Sequence, residues 1–323
     1  MEKKFIEVCS GCGGLGLGFM NAGFVPLLMN EIDKHCCNTL RLNHPGLNIN
    51  QGSMTELNLS KYDGQVDCLI GGIPCQPFST AGKKRGLDDI RGQLIYHFHR
   101  LVQECNPKFF LIENVKGLLS HENGNTFKTI MTLLETLNYQ LHHQIINSRY
   151  YEVPQKRERL IIVGVRKDIT CAKVFPDHLE NQVLLKDVLI DVPDSPGIVY
   201  KERKRQIMSL IPQGGNWRSL PKELQLEYLG EYHLTHSPSA GIAKRLNMND
   251  VSMTLTTSPD QRITERCHPI ETRPLTVREY ARIQTFPDSY QFCGSTRQQY
   301  KQIGNAVPVK LAYHLANAMS KIE

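Results

Sequence analysis

A thiol, a carboxylate and a pair of arginines stand at points of this chain where their chemistry would be expensive to place by accident. Cys75 lies in Gly71-Gly72-Ile73-Pro74-Cys75-Gln76-Pro77-Phe78-Ser79. Pro74 and Pro77 have fixed φ angles, so the backbone around the thiol is stiff. A merely structural cysteine more often sits inside an apolar run than in a polar loop of this kind. Glu113-Asn114-Val115 closes a second apolar run, at 109–112. A thiol and a carboxyl group brought together can act as nucleophile and proton donor. Gln155-Lys156-Arg157-Glu158-Arg159 adds two guanidinium groups able to grip phosphate or hold a polar ring. A solvated salt-bridge cluster is the plainer account of those arginines.

These residues need a frame. Short apolar runs at 5–9, 66–70, 109–112 and 160–165 alternate with helical spacing at 17–22, 93–102 and 126–137. Such alternation predicts an α/β fold, with a mostly parallel, doubly wound sheet covered by helices on both faces. Open sheets of this class place their binding crevice beyond the strand ends, where Cys75 and Glu113 both stand. The first strand leads straight into Ser10-Gly11-Cys12-Gly13-Gly14-Leu15-Gly16-Leu17-Gly18. Gly11, Gly13 and Gly16 satisfy G-x-G-x-x-G, a pattern that lets a nucleotide-like ligand approach the backbone. Glu31, near the expected end of a second strand, offers a carboxylate to ribose hydroxyls. The turn alone does not separate a nicotinamide dinucleotide from S-adenosylmethionine, and a ligand-free strand–helix turn also fits it. No Lys-Ser/Thr pair ends the loop, which excludes a nucleoside-triphosphate P-loop.

From 176 to about 269 the chain becomes rich in Pro, Gly, Ser, Thr and Arg, and periodic segments thin out. That texture predicts a smaller, irregular domain over 176–294, beside a larger one formed by 1–175 and 295–323. With 40% hydrophobic and 22% charged residues, an ordinary buried core is expected. No apolar run reaches transmembrane length and no signal peptide is evident, so the expectation is cytoplasmic. A formal net charge of +6 permits a polyanionic partner without requiring one. The 10 cysteines are irregularly spaced and read as reduced thiols. Cys9 and Cys12 have metal-ligand spacing but no second pair follows, so no metal is assigned.

Taken in order, these segments closely resemble the cytosine-C5 DNA methyltransferase family. The matches are the glycine turn, Glu31, Pro74-Cys75-Gln76-Pro77, Glu113-Asn114-Val115 and Gln155-x-Arg157-x-Arg159. They continue with Arg273-Pro274-Leu275-Thr276-Val277-Arg278-Glu279 and Gly304-Asn305-Ala306-Val307-Pro308. The resemblance implies a Rossmann-like fold, S-adenosylmethionine as cofactor and double-stranded DNA as partner, without a membrane. It implies that Cys75, as thiolate, adds to C6 of a cytosine that has been flipped out of the duplex. Glu113 would bond or protonate N3, Arg159 would hold the base carbonyl, and Arg157 would support the site or the DNA backbone. Gly11, Gly13, Gly16, Glu31, Ser53, Asn305 and Val307 would line the cofactor. A restriction-modification setting is implied, with a cognate endonuclease as functional partner and a monomeric enzyme. Departures from the family pattern fall at Cys9, Ile32 and Ser53, all on the cofactor side.

The resemblance puts DNA contacts on a lid after Cys75, with Gln76, Ser79, Lys83 and Arg85, and on the recognition region, with Thr254, Arg245 and Arg262. Arg266 is a further candidate reader of guanine. Trp217 reads as a packing anchor, and His233, His236 and His268 as structural or surface groups. Three alternatives stand beside this reading. The same chemistry on transfer RNA belongs to a branch with a Cys-Phe-Thr signature not found here. A nicotinamide-dependent oxidoreductase leaves the Cys75 and Glu113 motifs unexplained. A catalytically silent DNA-binding module leaves a full catalytic set without a purpose.

Overall fold

The computed structural model describes residues 2–74, 94–171, 173–230 and 239–321. The chain gathers into two compact units. Met1–Tyr151, Glu158–His178 and Val307–Glu323 form the first, and Glu152–Arg157 with Leu179–Ala306 form the second.

The first unit is built on a seven-stranded sheet. Its strands are β1 (Lys4–Val8), β2 (Val25–Glu31), β3 (Ile49–Gln51), β4 (Cys68–Gly71), β5 (Phe109–Val115) and β6 (Tyr139–Asn147). After a short β7 (Gln155–Lys156), which belongs to the second unit, β8 (Glu158–Arg166) completes it. The order is β3-β2-β1-β4-β5-β8-β6. The pairs from β3 through β5 are parallel, while β8 runs antiparallel to both β5 and β6. Parallel neighbours need long crossovers. Among the described residues these include α1 (Gly14–Asn21), α2 (Lys34–Asn43) and α3 (Leu94–Cys105), and α4 (Asn125–Glu135) leads from β5 to β6. The connection from β6 to β8 carries no such helix, and an antiparallel pair needs none. The α/β sheet expected from the sequence is present.

Strand alternation explains why both faces are covered. Ile6, Leu69, Phe110, Ile112, Leu160 and Ile162 point to one side, joining Phe98 and Leu101 of α3 with Ile130 and Leu134 of α4 in one core. Phe5 points to the other side, with its ring 5.7 Å from that of Phe19 on α1. The helix Val309–Ser320 also packs on α1. Gly18 permits that approach: a Cβ there would stand 2.3 Å from the Ala312 Cβ and 2.6 Å from the Val309 carbonyl oxygen.

The second unit holds little regular structure. β7 pairs in parallel with β9 (Ser252–Met253), and the helices are short. Its core gathers Met208, Ile211, Trp217, Leu220, Leu229, Ile242 and Cys267. Trp217 is buried there and donates its indole N–H to the Ser239 carbonyl at 3.0 Å. The units divide at 178/179 and 306/307, whereas the sequence suggested 175/176 and 294/295. The later boundary has a physical reason. Helix Thr296–Asn305 carries Tyr300, whose hydroxyl donates to the Leu275 carbonyl at 2.6 Å and whose ring meets Tyr280 edge-on. Among the described residues no helix is long and apolar enough to cross a membrane.

Candidate active site

The glycine turn is open above and tight below. Gly11 and Gly13 take φ of 53° and 87°, a left-handed backbone that favours glycine. Among the described residues a Cβ on Gly11 would meet nothing within 4 Å. A Cβ on Gly16 would stand 2.4 Å from Glu7 Oε2 and 2.3 Å from the Met29 methyl carbon, so this glycine lets α1 settle onto the sheet. Glu31, the last residue of β2, turns back to the loop. Its Oε2 accepts the Gly11 N–H at 2.7 Å, and Oε1 accepts the N–H groups of Ile32 and Asp33 at 2.8 Å. A carboxylate has about four lone-pair positions, so these three bonds orient it without exhausting it. Ile32 is 69% exposed beside it. Ser53 closes its own turn, accepting the Thr55 N–H and sharing a 2.7 Å hydroxyl contact with Thr55. Cys9, also at positive φ, donates its S–H to the Met54 sulfur at 3.4 Å.

Two strands along the sheet from β1, Glu113 and Arg159 meet. Arg159 Nε lies 2.8 Å from Glu113 Oε1, and both side chains are largely buried. The register accounts for it. Val115 of β5 faces Arg159 of β8, so Glu113 and Arg159 are diagonal neighbours on one face of an antiparallel pair. Asn114 points the other way and donates to the Ile73 carbonyl at 2.8 Å, tying the end of β5 to the segment after β4. Beside the pair, a Cβ on Gly72 would stand 3.5 Å from Glu113 Oε2. The described residues end just beyond, at Pro74. Cys75, Gln76, Ser79, Lys83 and Arg85 lie outside them, as do His233 and His236.

A sequence profile described as C-5 cytosine-specific DNA methylase matches residues 3–321. The chain belongs to that family. It is therefore a DNA methyltransferase acting on carbon 5 of cytosine. Among similar proteins, Type II methyltransferase M.Eco47II of Escherichia coli is 46% identical over 324 residues, 97% of this chain and 78% of the relative. Type II methyltransferase M.Sau96I of Staphylococcus aureus is 41% identical, covering 98% of this chain and 76% of the relative. A solved structure of a putative DNA modification methyltransferase encoded within an E. coli prophage matches with a TM-score of 0.74 at 28% identity. That match covers 99% of both chains.

Within this methylase several expected residues take different work. Arg157 is only 2% exposed and lies in the second unit, donating to the carbonyls of Leu255 at 3.2 Å and Asn305 at 3.4 Å. Its guanidinium braces backbone, so the pair of arginines read together in the sequence divides into one that meets Glu113 and one that does not. Arg245 is a correction. Its buried guanidinium donates to the carbonyls of Met208, Ile211, His268, Ile270 and Glu271 and to the Thr272 hydroxyl, which leaves it unavailable to a base. Arg262 is exposed, and its Nη2 caps the carbonyls of Tyr228 and Leu229, at the end of helix Lys222–Leu229. Buried Arg266 serves the carbonyls of Gly241, Thr254 and Glu265. Arg245 and Arg266 turn inward for the same reason: a short-helix unit leaves many carbonyls unsatisfied, and arginine has five donors to give them. Thr254 donates to the Lys156 carbonyl at 2.8 Å. His268 is buried, with Nδ1 accepting the N–H groups of Ile270 and Glu271. Asn305 is exposed at the end of its helix, and Val307 is buried in the first unit.

Two residues escaped the sequence reading. Glu7 sits inside an apolar strand, 1% exposed under the glycine turn, where burial pushes its carboxyl up to about 8. A lone acid inside a buried run was the signal available. Gln284 is fully buried at the end of helix Val277–Ile283, and nothing in its local sequence separates it from a solvated polar residue.

Proposed function

We propose that this methylase binds S-adenosylmethionine at the glycine turn and uses Cys75, Glu113 and Arg159 on a flipped cytosine. The Glu113–Arg159 pair is the observation that carries the reading. A carboxyl group and a guanidinium, both largely buried, are fixed side by side on the face of one strand pair, at the end of β5. The cofactor suits the cradle around Gly11, where the described residues leave open the room a side chain would fill and Glu31 presents an oriented carboxylate. Gly13, Gly16, Ser53, Asn305 and Val307 complete the proposed lining. When bound, the cofactor supplies an electrophilic methyl group.

Every other step belongs to the chain. The Cys75 thiolate adds to C6, forming an S–C6 bond and moving electron density to C5 and N3. Glu113, entering the step as the carboxylic acid, answers that charge by donating a hydrogen bond or its proton to N3, and Arg159 holds both Glu113 and the base carbonyl. After C5 takes the methyl group, its proton leaves to a base, the C5–C6 double bond re-forms and Cys75 is expelled. Gln76, Ser79, Lys83 and Arg85 would contact DNA beyond Cys75, and Thr254 from the second unit, which we take as the target-recognition part. Relatives named as Type II methyltransferases support a place as the modification enzyme of a restriction-modification pair, cytoplasmic and monomeric. Bisulfite sequencing of DNA from a host expressing the chain tests this, and fixed methylated positions are expected. Cys75→Ala should abolish methylation while cofactor binding survives, and turnover in that variant would overturn the nucleophile assignment.

A further inference from the structure

The second unit contains a chain of side-chain amides that runs in one direction. The Gln284 amide nitrogen donates to the carbonyls of Ile303 at 2.7 Å and Ala306 at 2.9 Å, capping the end of helix Thr296–Asn305. Its oxygen accepts from the Gln155 amide nitrogen at 2.7 Å. The Gln155 oxygen in turn accepts the Leu255 N–H at 2.9 Å. Both glutamines are fully buried. Carbonyls at one end and an N–H at the other leave only one orientation for each amide, so the pair forms a relay with fixed polarity.

The relay ends on a stretch of backbone clamped from several other sides. Arg157 holds the Leu255 carbonyl, Arg266 holds the Thr254 carbonyl, and the Thr254 hydroxyl reaches the Lys156 carbonyl. A Cβ on Gly304 would stand 2.0 Å from the Thr256 carbonyl oxygen, so the helix and this stretch touch backbone to backbone. Thr257, next along, is exposed. Leu255 is buried, so its backbone groups must be paired, and the same bonds fix the direction in which the flanking threonines leave the chain. That arrangement suits a segment whose side chains must meet a rigid partner in register.

We propose that Gln155 and Gln284 are positioning residues of the methylation reaction, setting the backbone of residues 254–257 for DNA through this relay. The proposal rests on the reading of the second unit as the DNA-recognition part. Neither glutamine touches substrate, and their effect belongs in the KM for DNA, with cofactor affinity left intact.

A carboxylic acid in place of the Gln155 amide tests it. Protonated, Glu at 155 donates one hydrogen to Gln284 and accepts from Leu255, as glutamine does. Ionised, it loses the donor and sets two acceptors against each other. Arg157, two residues beyond Gln155, stays charged throughout, and burial holds the Tyr280 phenol at about 12, so neither titrates between pH 6 and 8.5. For Gln155→Glu, the KM for DNA relative to wild type at the same pH should be near unity at pH 6 and raised about tenfold or more at pH 8.5. Gln155→Met, which keeps the size and removes both bonds, should show the rise at every pH. Cofactor affinity of the full chain should be unchanged in each. A folded Gln155→Glu enzyme whose KM for DNA tracks wild type from pH 6 to 8.5 overturns the proposal, as does a loss that appears equally in cofactor affinity. Wild-type protein that methylates RNA and not DNA would overturn the underlying reading as well, so the two failures are distinguishable.

Discussion

Glu7 shows what a single residue can set in motion without touching substrate. Burial dominates its environment. The Gly16 N–H eases the cost, while the nearby charge of Glu31 adds to it, and the balance lifts the carboxyl from about 4.5 to about 8. At neutral pH it is therefore protonated in the folded chain and ionised in the unfolded one. A folded value above the unfolded value puts the stabilisation on the acid side. It is complete below the ordinary carboxylate range and is lost as pH rises towards 8, at about 1.4 kcal/mol per unit. Thermal midpoints measured from pH 5 to 8 should fall, and Glu7→Gln, which cannot ionise, should flatten that slope. A variant with the wild-type slope would show that Glu7 is not the group responsible. The contrast with Glu31 is instructive. The same side-chain type there accepts three backbone N–H groups and is held against the turn.

At the scale of elements, legibility followed periodicity. The parallel core of the sheet could be read because β1, β4 and β5 are short apolar runs ending in glycines or polar groups, with helical spacing between them. The motif from Gln155 to Arg159 could not be divided by spacing, because no sequence pattern marks where one strand turns into another unit. β7 pairs with β9 and β8 with β5, so Arg157 and Arg159 take unrelated roles two positions apart. The inward turn of Arg245 and Arg266 is hidden from the sequence for a related reason: composition reports charge, and only the fold reports which carbonyls are waiting for it. The helix Val309–Ser320 has a packing partner that no local sequence pattern marks. That partner is α1, and Gly18 is the contact that admits it. Gly18→Ala improves helix propensity by up to about 1 kcal/mol. It also drives a methyl group into the backbone of the terminal helix, at a typical overpacking cost of about 1–3 kcal/mol. Because the blocking atoms include backbone, the clash should win. A lower denaturation midpoint is expected, and an unchanged or raised midpoint would place the contact elsewhere.

For the whole molecule, net charge and usable charge differ. The formal +6 counts Arg157, Arg245 and Arg266 as cations available to a polyanion. All three are buried and spend their donors on carbonyls of the second unit. DNA affinity falls with salt in proportion to the phosphates a protein neutralises, so internal arginines should leave that slope alone. Arg245 gives the sharpest test, since its guanidinium joins two stretches of chain, 208–211 and 268–272, through six acceptors. Lysine keeps the charge and cannot match the fork. Arg245→Lys should therefore cost about 2–4 kcal/mol of stability, since several buried carbonyls lose their donors at once. The logarithmic salt dependence of the KM for DNA should match wild type at a temperature where both are folded. If the slope instead fell by about one phosphate while stability held, Arg245 would be a DNA contact after all. The burial of its guanidinium argues against that outcome, because reaching a phosphate would require breaking bonds to five carbonyls and a hydroxyl for one exposed ion pair.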